Sequence, residues 1–496
     1  MKSAVIIVHG IGPIDRYQIQ DQFAGELRDA LNTETDDERR QRFGGDLPTR
    51  IGQWHSDVIW PPVPRGEKLE GVRPSAVRVH CDNYGRDVPG EPVIDVFEGY
   101  WSPADKGQTN AFSVLAWLMR SIFSPVADTR IAAPGRKTTY DLVLTVLVAV
   151  LVPLLTIATL WAAYAAYQKM PEGVVPPWAA LIIGLSGGYL VAQGLSRLIP
   201  LFFVPGTGRS YRRPVILVLL GFMILAATAG FEGGEFFDKL WRLVWLLATA
   251  TSARLLLSVM SDFLVGYGGD IQIWATHNEN QRFYMLREKI LQIVGDIVLA
   301  VLRTKEGLVN RPLYDRVYLV GHSLGSSILM DVIVDLHRLM MEGGLDAADW
   351  TKLRCFVTYG SALEKTHYLL GAARPVVSKQ AGEFKADLYA RLFSADPGAM
   401  TAGDGVNRRP PMFWTNYWYF TDVVANAIAS YGNARSTNDP APDPGTHYTC
   451  LNVQLASPPG NVWPHSFYLS DRKLWHSQDG RRGIASIVAL AEKARG

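Results

Sequence analysis

The chain has 496 residues, too long for one average domain of roughly 100–150 residues. Its 49 basic and 47 acidic residues leave a formal charge of +2, which excludes the concentrated basic face that a nucleic-acid partner needs. Only 19% of residues are charged and 48% are hydrophobic, short of the roughly 25% charge of a soluble domain, so part of the chain is expected to face something other than water.

In chain order, the first element is "SAVIIVHGIG" (Ser3–Gly12), a buried strand running into a glycine-rich turn. Its apolar run is shorter than the core of a secretory signal and ends in His-Gly rather than a cleavage site, so no signal peptide is expected. "DDERRQR" (Asp36–Arg42) reads as a solvated charged face, and "EPVIDVFEGYW" (Glu91–Trp101) as a second strand.

Composition then changes between residues 139 and 265. Leu142–Tyr167 carries no charge, and Trp178–Val204, Pro214–Phe231 and Leu240–Met260 are further apolar runs. A bilayer core takes about 20 apolar residues of helix. The last run carries Arg242 and Arg254 and is the weakest of the set. Arg130, Arg136 and Lys137 precede the first run, and Arg197, Arg209, Arg212 and Arg213 lie around the second connection. The first and third connections hold mixed or acidic charge, including Lys169, Glu172, Glu232 and Glu235. Basic residues at alternate ends predict an even number of spans with both flanking parts in the cytoplasm. The three cysteines, Cys81, Cys355 and Cys450, are far apart and form no C-x-x-C, which agrees with a reducing compartment. The division expected is 1–125 and 269–496 as two parts of one α/β domain, split by an all-α transmembrane insertion at 126–268 of about four spans.

After the insertion, Asn278–Thr304 has helical periodicity, and strands follow at Arg316–Val320, Leu353–Thr366, Pro411–Asp422 and His447–Leu455. Strands alternating with helical segments predict a mostly parallel central sheet flanked by helices. "NDPAPDPG" (Asn438–Gly445) reads as a loop. The H-x-x-C of His447 and Cys450 lacks a second ligand pair, and the S-x-x-K of Ser470 and Lys473 lacks companion motifs. No cofactor or metal is expected.

The chemistry-bearing stretch is "DRVYLVGHSLGSSILMDVI" (Asp315–Ile333), in which Gly321-His322-Ser323-Leu324-Gly325 fits G-x-S-x-G between a strand and a helix. Small residues on both sides let strand and helix close up, leaving the hydroxyl exposed on a strained turn. The Leu324 N–H then faces a developing oxyanion at a helix N-terminus. The turn His9-Gly10-Ile11-Gly12 offers a second donor, Gly10 or Ile11. A serine needs a base. His465 in "NVWPHSFYLSD" follows the last strand; His447 and His476 are rivals. The acid is expected after a strand between the two: Asp422, with Glu364 as the alternative and Asp396 and Asp404 in loops.

"VIIVHGIG", "YLVGHSLGS", "FVTYGSALEKT", the strand ending in Asp422 and "PHSFYLSD" together resemble the α/β-hydrolase superfamily, in its lipase and serine-esterase branches. The resemblance covers most of 1–101 and 270–480; Gly360-Ser361-Ala362 departs from the Gly-Ser-Pro frequent in lipase-like members. It implies an α/β-hydrolase fold, a Ser323–Asp422–His465 triad, and an oxyanion hole from Leu324 with Gly10 or Ile11. The expectation is a membrane-anchored, cofactor-free serine hydrolase cleaving acyl esters of lipid origin. Its domain would lie on the cytoplasmic side of a bacterial-type inner membrane, its mouth toward the leaflet. A non-catalytic membrane scaffold on the same fold, or a thioesterase or amidase with the same triad, is the alternative.

Overall fold

The computed structural model describes residues 2–10, 15–33, 53–60, 75–81, 93–101, 269–274, 283–306, 311–367, 388–396, 412–422, 424–437, 446–456, 465, 468–476 and 483–484. The chain divides into two compact units, one of 1–106, 128–134 and 271–496, the other of 107–127 and 135–270. The four apolar runs of the expected insertion lie outside the described residues, as do Ile11, the charged run at 36–42 and the loop at 438–445. Among the described residues no helix is long and apolar enough to cross a membrane.

The first unit is built on a mostly parallel sheet with flanking helices. Its elements are β1 (Lys2–Val8), α1 (Gln18–Asn32), β2 (Trp54–Ile59), β3 (Ala76–Cys81), β4 (Val93–Glu98), α2 (Gly269–Trp274, which straddles the two units), α3 (Tyr284–Arg303), and a short ladder of β5 (Lys305–Glu306) and β6 (Arg311–Pro312). Then come β7 (Arg316–His322), α4 (Leu324–Met341), α5 (Ala347–Trp350), β8 (Leu353–Tyr359), β9 (Phe393–Ser394), β10 (Met412–Tyr419), β11 (Ala434–Ser436), β12 (Cys450–Leu455), a 3-10 turn (Tyr468–Ser470) and α6 (Arg472–Trp475). The main sheet runs β11-β12-β10-β8-β7-β1-β4-β3-β2, with β9 beside β10. All pairings are parallel except those of β3 with β2 and β4.

Alternation of side chains along each strand sorts the core into two layers. Ala4, Ile6 and Val8 of β1, with Val317 and Leu319 of β7, face one layer; Val5, Ile7, Tyr318 and Val320 face the other. The first layer is covered by α3 and α4, through Ile290, Val294, Val298, Ile328 and Leu329. The second is covered by α1 and α6, through Ile19, Phe23, Leu27, Leu31, Leu474 and Trp475. The central strands are buried on both faces, so they read as continuous apolar runs such as "AVIIV". The three cysteines are buried, and none is in a disulfide.

This topology sends β1, β7, β8, β10 and β12, neighbours in the sheet, out at one edge. The segments after them carry His9-Gly10, Ser323, Gly360, Asp422 and His465.

Candidate active site

Ser323 stands between β7 and α4 with φ 52 and ψ −124, in the left-handed region that non-glycine residues seldom adopt. Two glycines make the turn possible. A Cβ on Gly321 would come within 2.6 Å of Ser326 Cα, and one on Gly325 within 2.2 Å of the Val8 carbonyl oxygen. Strand, helix and the end of β1 are therefore in backbone contact. The Ser323 N–H donates to Tyr359 O at 3.2 Å, and Ser323 O accepts from Ser326 N and Ala362 N.

The turn after β1 lies against the serine. A Cβ on Gly10 would sit 2.4 Å from Ser323 Cβ and 3.0 Å from its Oγ, so only glycine fits. The Gly10 turn and Leu324, the buried first residue of α4, thus flank the hydroxyl from two sides. Ile11 is outside the described residues.

The residues expected as base and acid are in direct contact. His465 Nδ1 donates to Asp422 Oδ2 at 2.8 Å, with both residues buried. Asp422 follows β10 through a tight turn, its N–H bonded to Tyr419 O at 3.2 Å. Its Oδ1 accepts from Val424 N at 2.8 Å, and its Oδ2 accepts a second bond, from Tyr468 Oη at 2.8 Å. Burial by itself would raise the Asp422 pKa. The His465 charge and hydrogen bond, with Lys365 and the Val424 N–H, outweigh burial and hold the carboxyl well below the usual range. The group is a fixed anion.

His465 packs on His322, the residue before Ser323. The two rings stack at 5.1 Å, and His322 Nε2 faces His465 O at 3.4 Å. Gly360, at φ 58, fits beneath: a Cβ there would lie 3.2 Å from His465 Cε1 and 3.3 Å from His322 Cδ2. Ser323 Oγ and His465 Nε2 are both buried and lack a hydrogen-bond partner. The serine–histidine hydrogen bond expected from the sequence is therefore not made in this structure.

Two histidines beyond the expected set line this region. The bond of His322 Nε2 to a carbonyl requires a proton there, leaving Nδ1 bare, buried and without a partner. Burial first, then repulsion from His465, lowers its pKa to about 3. His9 Nδ1 bonds Gly10 O at 2.8 Å, and its ring stacks on Trp101 at 4.9 Å. Burial lowers its pKa to about 4. Both are neutral at pH 7, so neither adds a cation beside His465. His322 filled an unrestricted position of the pentapeptide and His9 only preceded a glycine turn, so the motif gave neither a role.

The rivals are engaged elsewhere. Glu364 accepts from Ala429 N, Ser430 N and Ser430 Oγ at 2.6–2.7 Å, pinning that segment. His447 donates from Nε2 to Phe393 O at 2.9 Å, and His476 closes α6. Asp396 takes a bond from its N–H to Ser394 Oγ; Asp404 is outside the described residues. No family model, no curated protein and no solved structure matches this chain.

Proposed function

We propose that the chain is a serine hydrolase of the α/β-hydrolase type, acting on acyl esters. The observation that carries the reading is the buried His465–Asp422 pair beside a serine held at positive φ between strand and helix. A structural turn has no need of an imidazole oriented by a buried anion. In the reaction, Ser323 Oγ attacks the ester carbonyl as His465 Nε2 takes its proton. Asp422 stabilises the resulting imidazolium. His465 returns the proton to the leaving alkoxide, and water repeats the cycle on the acyl-enzyme. The oxyanion is met by backbone N–H groups of Leu324 and of the Gly10–Ile11 turn. The Ser323–His465 hydrogen bond, open here, closes when substrate enters, as catalytic bonds often tighten only in the complex.

The substrate class comes from the sequence. The apolar runs between residues 142 and 260 support a membrane-anchored enzyme of the cytoplasmic leaflet, for which lipid-derived esters are the nearest carbonyls. A thioester or amide would use the same groups. The second reading is a membrane scaffold that keeps this fold without turnover, and the unclosed serine–histidine contact is the observation in its favour.

A fluorophosphonate probe separates the two. Labelling of the purified full chain that disappears in Ser323→Ala supports the hydrolase. A folded wild-type chain that never labels supports the scaffold.

A further inference from the structure

We propose that Tyr468 is a positioning residue of the triad, apportioning the Asp422 carboxylate between two donors and thereby setting how firmly it holds His465. The inference rests on the serine-hydrolase reading and deepens it.

Asp422 Oδ2 receives two bonds of equal length, from His465 Nδ1 and from Tyr468 Oη, each 2.8 Å. The direction of the Tyr468 hydroxyl is not free. Its oxygen accepts from Tyr419 N–H at 3.0 Å, so its own proton must point at the carboxylate. Tyr419 is the last residue of β10, three before Asp422, and its hydroxyl donates to Asp471 Oδ2 at 2.5 Å. Asp471 Oδ1 in turn accepts from Lys473 N at the start of α6. Acid, strand end, Tyr468 and α6 are thus tied in one network, with the acid at one end. The Tyr468 ring packs on Tyr419 at 4.5 Å and stands edge-on to His465 at 6.4 Å. Burial and the nearby Asp422 charge push its phenol pKa well up, so it remains a donor.

Among the described residues, the His465–Asp422 pair is faced by His322 from β7, Lys365 after β8, Tyr419 from β10, and Tyr468, with Tyr359 of β8 packed behind His322 and Tyr468. Tyr468 shares Oδ2 with His465. Removing its hydroxyl takes a rival bond from that oxygen while unfastening the carboxylate from the β10 end.

The test uses the full chain with Tyr468→Phe, which keeps the ring. The NMR resonance of the His465 Nδ1 proton, assigned with His465→Gln, should move further downfield, and fluorophosphonate labelling should slow by about tenfold. The acidic limb of the labelling rate should move to higher pH. Should the Phe variant not fold, 3-fluorotyrosine at position 468, a stronger donor of the same shape, should move the resonance upfield instead. A folded variant with an unshifted resonance overturns the proposal, even if labelling slows, because slowing alone is what a merely structural tyrosine would give. A wild-type chain that never labels removes the hydrolase reading, while the resonance still decides whether Tyr468 governs the carboxylate.

Discussion

Asp422 Oδ2 and His465 Nδ1 meet at 2.8 Å with neither residue open to solvent, and the segments that carry them come from different strands, β10 and β12. An anion buried this way is tolerated because donors converge on it, among them His465 Nδ1, Tyr468 Oη and Val424 N. Asp422→Asn keeps the shape and loses the charge, and its amide donor disturbs the imidazole tautomer. Esterase turnover, measured with a p-nitrophenyl ester, should fall by about 10³–10⁴-fold with little change in KM. Glu364→Gln should leave turnover within about tenfold, since Glu364 only pins the segment at Ala429 and Ser430. Equal losses in the two variants would displace Asp422 from its role.

Buried neutral imidazoles make the fold acid-sensitive. In an unfolded chain His9 and His322 bind protons near 6.5; folded, burial lowers them to about 4 and about 3. Between those values the unfolded state takes up more protons, so stability falls as pH falls. The stabilisation is whole above pH 6.5 and is lost through pH 4 and then pH 3. For His9 it amounts to about 3 kcal/mol. Denaturant midpoints should therefore drop between pH 7 and pH 5, and His9→Gln with His322→Gln should flatten that slope.

Glu98 works in the opposite direction. It ends β4, accepts the Tyr17 N–H at 2.5 Å beside the start of α1, and keeps Oε1 buried without a partner. Burial raises its pKa to about 7, against the Tyr17 N–H and Arg16, with Asp21 adding to the rise. Folded Glu98 thus holds a proton between pH 4.5 and pH 7 that the unfolded chain has released. Its stabilisation is present below pH 4.5 and is lost as pH rises through 7. Glu98→Gln should gain on the wild type by up to about 3 kcal/mol between pH 4.5 and pH 8. A constant difference across pH would contradict this assignment.

One substitution should have opposite signs at two glycines. At Gly25, on α1, an added Cβ meets nothing within 4 Å, so Gly25→Ala should stabilise by about 0.5–1 kcal/mol through helix propensity. At Gly10 the methyl would meet Ser323 Cβ at 2.4 Å. Gly10→Ala should abolish probe labelling with a loss of stability of only about 1–3 kcal/mol. Paired thermal melts and labelling gels check both.

Much of the site was readable before the fold because the chemistry leaves local marks. Ser323 is bracketed by glycines that strand and helix demand, Asp422 comes three residues after an aromatic-rich strand, and His465 follows the final strand. The central strands, buried on both faces, announce themselves as unbroken apolar runs. The outer strands did not. β2 and β3 carry "WHSDVI" and "AVRVHC", where Arg78 and His80 interrupt the apolar run. Arg78 pairs with Asp95, which is also bonded by Tyr314 Oη, a contact spanning hundreds of residues and invisible to periodicity. Helix α1 was equally silent because its apolar face, Ile19, Phe23, Leu27 and Leu31, is diluted by Gln, Asp and Glu. Tyr468 lay inside a quoted motif, yet nothing in its spacing said which carboxylate its hydroxyl would reach.

The segment after Asp422 is held by a buried polar ladder, and this gives the last prediction. Thr358, Asn416 and Asn452 lie side by side on β8, β10 and β12 in exact register. Thr358 Oγ1 donates to Asn416 Oδ1 at 2.9 Å, and Asn416 Nδ2 donates to Asn452 Oδ1 and Asn426 O, both at 3.0 Å. Asn452 then brackets Ile428, accepting its N–H at 2.8 Å and donating to its carbonyl at 2.9 Å. The ladder fastens residues 426–428 to the sheet, just beyond the Val424 N–H that steadies Asp422 Oδ1. Asn452→Ala would take one of two bonds from Asn416 Nδ2 and strand both backbone groups of Ile428 inside the protein, each of these at about 1–3 kcal/mol. Thr358→Val removes the bond to Asn416 Oδ1 and the one accepted from Trp414 Nε1 at 3.3 Å, and should cost about 1–3 kcal/mol. The Asn452 variant should lose more stability than the Thr358 variant, and its labelling rate should fall in the fraction that remains folded. A rate equal to wild type in that fraction would mean the segment keeps Asp422 in place without the ladder.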